Sequence, residues 1–219
     1  SRLYYHAIGI FRDQAAVDKY PHWDGAQPGD VIFQDVNGDG VINGLDLVRD
    51  YKTDIPTFTA GATLNLGYKN FDLSILVQGA AGAERAYTEF SGEAGNFRME
   101  NIIGHWTPEN MDAKKPRAWN RSAQYWMTDG WPNNTYWVRS SDYIRLKNLQ
   151  IGYSLPAKMI KKIGIDGLRV YASGLNLLTL TSFKDFDPEA PNSDPNSIWV
   201  NSEVYPLNKN LSFGLTVTF

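Results

Sequence analysis

The chain has no cysteine, which excludes disulfides, thiolate metal sites and a cysteine nucleophile. It has only three histidines, His6, His22 and His105, and they share no metal-ligand spacing. No run of about 18 apolar residues exists, so a transmembrane helix is excluded. There is no excess of positive charge: 21 Lys plus Arg stand against 24 Asp plus Glu, a formal net charge of −3. A nucleic-acid partner, which needs a basic face, is therefore not expected. There is also no Gly-rich phosphate loop and no Ser–His pairing to suggest nucleophilic catalysis. None of these absences touches a transmembrane β-barrel, whose alternating strands average out as polar.

Strand patterns are what the chain does have. From Leu211 to Phe219, Leu211, Phe213, Leu215, Val217 and Phe219 alternate with Ser212, Gly214, Thr216 and Thr218. Strict alternation gives a strand with one apolar and one polar face. Gly and Thr pack poorly as a soluble core but suit the wall of a watery lumen. Phe58 to Tyr68 repeats the pattern, and after Lys69-Asn70 it resumes at Phe71, Leu73, Ile75 and Val77. Two such strands joined by two turn residues form a hairpin, each strand near the roughly 9–11 residues a bilayer requires. Parity predicts that Phe58, Leu64, Leu66, Leu73, Ile75, Leu215 and Val217 meet lipid. By the same rule Thr57, Thr63, Asn65, Ser74 and Thr216 face the lumen.

Tyr143 to Leu155 is a further strand, in which Arg145 and Lys147 share the parity of Leu149 and Ile151. Either its upper half lies outside the lipid or a bulge shifts the register. Pro156 ends it, Ala157 to Ile163 is a short basic helical turn, and another strand starts at Leu168. Adding Leu3–Phe11 makes about six long strands in up-and-down order. The Lys69-Asn70 and Pro156–Gly167 links are short, whereas 13–56, 83–142 and 181–209 are long. Outer-membrane barrels sort their loops in this way. The fold class predicted is therefore all-β: an antiparallel transmembrane barrel segment with long extracellular loops. The rival is a soluble, calcium-stabilised carbohydrate-binding β-sandwich. Ser1-Arg2 running straight into a strand pattern reads more as a fragment than as a natural start.

The long loops hold the candidate sites. Asp35, Asn37, Asp39, Val41, Asn43 and Asp46 stand at positions one, three, five, seven, nine and twelve of an EF-hand-like loop (35–46), with Gly40 at six. Three carboxylates within one short loop repel one another unless a cation lies between them, so Ca2+ is the expected ligand. Asp46 replaces the usual bidentate Glu, no second copy exists, and Asp30–Gln34 upstream reads as strand. The alternative is a metal-free turn, since Asp, Asn and Gly form turns unaided. In the aromatic-rich loop 83–142, Trp119, Trp126, Trp131 and Trp137 are weak ligand-stacking candidates. A private core for so long a loop is the preferred reading. Asp185, Asp187 and Glu189 read as a solvated acidic cluster, and no catalytic residue is assigned, so an enzyme is not expected.

The run from Pro28-Gly29-Asp30-Val31 through Asp35-Val36-Asn37-Gly38-Asp39-Gly40 resembles SusC/RagA-type TonB-dependent outer-membrane transporters. So do Gly9-Ile10-Phe11, Tyr68 to Ser74, Arg145 to Leu149 and Asn176 to Thr179, in family order. Asp187-Pro188-Glu189, Tyr205-Pro206-Leu207 and the terminal Phe219 complete the set. The resemblance implies the C-terminal part of a plugged barrel of about 22 strands, ending in strand 210–219. It implies a plug domain and TonB box elsewhere in the protein, a SusD-like surface lipoprotein, TonB and membrane lipid as partners. It also implies import of glycans or peptides across the outer membrane of a Gram-negative bacterium.

Overall fold

The computed structural model describes residues 2–86, 103–118, 134–161, 164–184, 187–189 and 206–219. The chain forms two compact units, Ser1–Lys52 with Ala86–Val138, and Thr53–Arg85 with Arg139–Phe219.

The first unit is built from short pieces. β1 (Arg2–Tyr4) pairs antiparallel with β4 (Val48–Asp50), and β2 (Ala7–Ile10) with β3 (Val31–Phe33). Between them lies α1 (Gln14–Lys19), capped by Asp13, whose Oδ1 accepts the Ala16 N–H at 2.9 Å. Pro21 follows the C-cap Tyr20 and stops the helix. Two small cores form: Tyr5, Val31, Phe33 and Ile42 in one, Phe11, Val17 and Ile32 in the other. The stretch Leu3–Phe11 is thus not a long barrel strand, contrary to its sequence pattern. The neighbouring Tyr4 and Tyr5 are both buried, so the chain is enclosed on both faces at this point, and the segment breaks into β1 and β2. One-sided alternation, the mark of a lipid-facing strand, ends there.

The second unit is a five-stranded antiparallel sheet. β5 (Phe58–Tyr68) and β6 (Phe71–Ala81) form the hairpin; the short β7 (Glu84–Ala86) pairs with β8 (Val138–Ser140). β9 (Tyr143–Ser154), the one-turn α2 (Ala157–Ile160), β10 (Gly167–Thr181) and β11 (Asn210–Thr218) follow. The spatial order β5-β6-β9-β10-β11 keeps the chain order of the long strands, an up-and-down meander. The Lys69-Asn70 turn is as tight as its sequence indicates, with Lys69 in the left-handed region at φ 54° and Tyr68 opposite Phe71.

Register aligns the apolar positions across the whole sheet. Leu66 lies opposite Leu73, Leu73 opposite Ile151, Ile151 opposite Ala172, and Ala172 opposite Phe213. Asn65, Ser74 and Gln150 line up in the same way on the other face. The parity expectations for Leu64, Leu66, Leu73, Ile75, Leu215 and Val217, and for Thr63, Asn65, Ser74 and Thr216, fall on these two faces without a break. A sandwich would cover the apolar face with a second sheet. Here, among the described residues, Leu211, Phe213 and Leu215 are 71%, 84% and 65% exposed, and Phe219 is 87% exposed.

The ambiguity in β9 resolves as a bulge. Asn148 faces Leu76 and Leu146 faces Val77, so Lys147 is an extra residue on β9. On the other side β10 inserts residues between Leu175 and Leu178, with Asn176 at φ 52°. Beyond the bulge the parity flips. Ile144 and Leu146 join the apolar face through Gly79, Val77, Leu180 and Leu178, while Arg145 lies opposite Gln78 on the polar face. A charged residue is thereby kept off the apolar side without interrupting the strand.

Candidate functional site: the polar wall and the Asp-rich loop

The polar face carries two charged stations. Near the Lys69-Asn70 turn, Arg169 on β10 reaches Asp72 on β6 across the intervening β9, with Nε to Oδ1 at 2.9 Å and a second bond from the other nitrogen at 2.5 Å. This fork-to-fork pairing is the geometry Arg offers a carboxylate. It passes directly over Gly152, where a Cβ would collide with both Asp72 and Arg169. The Arg169 guanidinium also lies 5.1 Å from the centre of the Tyr171 ring.

The second station sits beyond the bulge. Arg145, 2% exposed, donates to Asp187 at 2.7 Å and pairs with Glu189 at 2.6 Å; the Lys147 ammonium reaches Glu189 at 2.9 Å. Because the bulge turns Arg145 and the extra Lys147 to one side, two cations meet two carboxylates. Asp187 does more than pair. Its Oδ1 accepts the Glu189 N–H and its Oδ2 the Leu207 N–H, both at 2.9 Å, so it ties together chain segments 20 residues apart. Burial pushes its carboxyl up, but the Arg145 hydrogen bond, the two backbone N–H groups and the Arg145 charge outweigh it and hold the group below the usual carboxylate range. The reading of Asp187 and Glu189 as solvated is therefore corrected: they are 7% and 17% exposed, compensated by cations that lie some forty residues earlier. Asp185 lies outside the described residues. With both carboxylates neutralised, the station clamps chain segments and has no free acid–base pair.

In the Asp-rich loop, Asp35 accepts the N–H groups of Gly38 and Gly40, and Asp39 accepts that of Val41. The Val41 N–H and the Asn37 amide hold the exposed Asp39 carboxyl below its ordinary range. Asp46, fully buried, accepts the N–H groups of Val36 and Asn43, and Asn43 caps the short 3-10 turn Gly44–Asp46. The spacing expected of a calcium loop thus folds as a chain of Asx turns. Among the described residues no three acidic or histidine side chains converge on one point. Trp137 is 3% exposed and meets Tyr136 edge-on at 5.0 Å, which makes it part of a local core and no platform for a ligand. Trp119, Trp126 and Trp131 lie outside the described residues.

A buried acid in the first unit escaped the sequence reading. Asp30 is fully buried; Arg117 Nε bonds its Oδ1 at 2.5 Å and the Gln27 N–H its Oδ2 at 2.9 Å. Burial outweighs these bonds and pushes its carboxyl above the usual range. The sequence signal was the Pro28-Gly29-Asp30 turn, but the Arg117 partner is 87 residues away.

No family model matches the chain. It is 31% identical over 224 residues to TonB-dependent receptor P26 of Formosa agariphila, covering 97% of this chain and 22% of that protein. TonB-dependent receptor P3 of the same organism is 32% identical, over 89% of this chain and 19% of that protein. TonB-dependent receptor SusC of Bacteroides thetaiotaomicron is 24% identical, over 98% of this chain and 20% of that protein. The fold matches a chain of the RagAB peptide transporter with a TM-score of 0.71 at 23% identity, covering 99% of this chain and 22% of that one. The chain thus spans about a fifth of the length of the curated relatives it matches. The two-faced meander and this similarity along nearly the whole chain lead to one conclusion: the chain is similar to a barrel segment of TonB-dependent receptors, SusC among them.

Proposed function

We propose that the chain is part of the barrel wall of an active importer in the outer membrane of a Gram-negative bacterium, a transporter and not an enzyme. The observation that supports this best is the sheet itself: one continuous apolar face for lipid and one polar face for a watery lumen, in a chain similar to named TonB-dependent receptors. Five strands cannot close, and lipid does not tolerate unpaired strand edges, so transport belongs to the whole barrel. On this reading the protein takes energy from TonB and works with a SusD-like surface lipoprotein. Its cargo is a glycan or a peptide, the latter suggested by a structural neighbour described as a peptide importer. The test is uptake of labelled oligosaccharide and oligopeptide mixtures by cells with and without the full-length gene. Loss of one uptake in the deletion strain, restored by the gene only when TonB is present, is expected. Equal uptake of both mixtures in the two strains would refute the proposal.

Calcium in the 35–46 loop is proposed on spacing alone, with Asp35, Asn37, Asp39 and Asp46 supplying side-chain oxygens, Val41 its carbonyl, and Asn43 acting through water. Binding requires side chains that now accept backbone N–H groups to reorient toward the ion. Isothermal titration of the full-length protein with calcium is expected to show a site that Asp39→Ala removes. Identical heats for both proteins would rule the site out.

A further inference from the structure

The apolar face of the long-strand sheet is not uniform. At the end near the Lys69-Asn70 turn it bears Leu64, Leu66, Leu73 and Ile75, and the aromatic pair Phe71 and Tyr153 at 4.6 Å. At the other end the outward positions of β5 and β6 include the small Ala60, Ala62, Gly79 and Ala81, between Phe58 and Val77. There the surface sinks into a groove of about 540 Å³, with this small-residue floor and with Phe58, Ile144 and Leu180 among its walls. That volume lies within the range of ordinary ligand pockets.

We propose that this groove holds one acyl chain of an outer-leaflet lipid. Its position decides the leaflet. Short turns lie on the periplasmic side of such barrels and long loops outside, so Phe58 and Ala81 are at the extracellular end. From Phe58 to Ala62 the groove runs along four residue steps, on the order of 14 Å of strand. That takes it from the rim toward the middle of the strand, the depth of a lipid tail. It is continuous with the apolar surface of β5, β6, β9 and β10, so on the function proposed above its surroundings are hydrocarbon. A void there would forfeit dispersion contacts on both sides, and the backbone of β6 beneath the groove is paired on both sides, to β5 and to β9. Ala60 lies opposite Gly79, and Gly79 opposite Ile144. β5 is the edge of this sheet, and in a closed barrel it pairs with a strand outside this chain, so an occupant of the groove binds by shape and apolar contact alone. A flexible tail does this.

The small residues have two different origins. A Cβ at Gly79 would meet the Tyr143 carbonyl oxygen at 2.9 Å, so the close approach of β9 demands glycine. Ala60 and Ala62 are exposed, and nothing among the described residues limits their size. Leu or Ile would bury more apolar area in lipid, as Leu64 and Leu66 do on the same strand. Alanine at these positions forgoes that gain and keeps the groove open. The rim is fixed: the Gly82 N–H donates to Asp142 at 2.8 Å, and the Thr181 hydroxyl donates to the Asp142 carbonyl at 2.7 Å.

The test is native mass spectrometry of the full-length protein, extracted from its own outer membrane and washed with rising detergent. The wild type is compared with Ala62→Leu, which fills the floor, and with the milder Ala60→Val. Val217→Leu, on the same face outside the groove, is the control. The expected result is one lipid retained per wild-type chain and per Val217→Leu chain, with occupancy reduced roughly tenfold in Ala62→Leu. Heat-modifiable gel mobility shows whether each barrel is folded; if Ala62→Leu does not fold, Ala60→Val decides. Equal lipid retention in wild type and folded groove variants overturns the proposal. A change in the number of protein copies without loss of lipid also overturns it, and assigns the groove to protein contact. Neither outcome depends on which cargo is imported, so the uptake experiment and this one fail separately.

Discussion

The two units use the same residue types in opposite ways. In the unit of short strands, Phe11 is 1% exposed and Tyr5 is 1% exposed, each enclosed with Val, Ile or Phe partners. In the long-strand unit, Phe213 is 84% exposed and shares its face with Leu211 and Leu215. One unit encloses some of its apolar groups in small closed cores; the other displays them on one open face of a sheet. Apolar content alone therefore does not reveal which solvent a segment meets. Geometry does: short strands broken by Gly, Pro and Asx turns close around cores, and uninterrupted alternation makes a wall.

The sharpest way to break this contrast is to truncate a phenylalanine in each unit. Phe11→Ala is expected to cost about 3–5 kcal/mol, since it leaves a cavity in a core too small to collapse around it. Phe213→Ala leaves no cavity and should lose only the transfer contribution of the ring, about 1.5–3 kcal/mol. Urea unfolding of the full-length protein in vesicles measures both; equal costs would erase the distinction. A charge sharpens the contrast further. Ile75→Arg is expected to destabilise by about 2–4 kcal/mol if it lies near the midplane, and Thr63→Arg on the polar face by much less. If the two arginines cost the same in that assay, the assignment of faces is wrong. At the cap of α1, Asp13→Ala should cost about 1 kcal/mol, with the loss confined to the short-strand unit by hydrogen exchange.

The smallest expected effects are in pH dependence, and their signs differ between units. The Asp30 carboxyl is raised by burial, so the folded unit keeps a proton that the unfolded chain has released. Its contribution to stability falls as pH rises from about 3.9, the ordinary Asp value, through the raised one. Asp187 is held low despite burial, by Arg145 and backbone N–H groups. Its contribution is present above about pH 3.9 and is lost as pH falls through the lowered value. Asp30→Asn should therefore flatten a decline with rising pH, and Asp187→Asn a decline toward acid. Unfolding midpoints between about pH 3 and 6 would show this; slopes of the same sign in both variants would contradict it.

The long strands, the hairpin turn and both faces of the sheet were legible in the sequence because a strand writes its two environments at period two. Leu64, Leu66, Leu73 and Ile75 are outward for no other reason than parity and one continuous register. The β9 bulge was half legible. Arg145 and Lys147 on the apolar parity announced a conflict, and pairing to β6 showed that the extra residue is Lys147. Leu3–Phe11 misled because two short strands interrupted at the buried Tyr4 and Tyr5 share the composition of one long strand.

What the sequence determined, then, is what depends on neighbours along the chain: alternation, turn chemistry, the Asp-rich loop spacing, and the sorting of short and long connections. What only the tertiary structure decided depends on partners far apart in it. Arg117 finds Asp30, Arg145 finds Asp187, and Arg169 finds Asp72 over a glycine of the strand between. A charged side chain carries no local mark of the partner it will meet. Loops bring such groups together at almost any separation, since closure entropy rises only slowly with length. The groove on the lipid face belongs with them: four small residues look unremarkable along two strands, and become a concavity only when register sets Ala60 beside Gly79 and Gly79 beside Ile144.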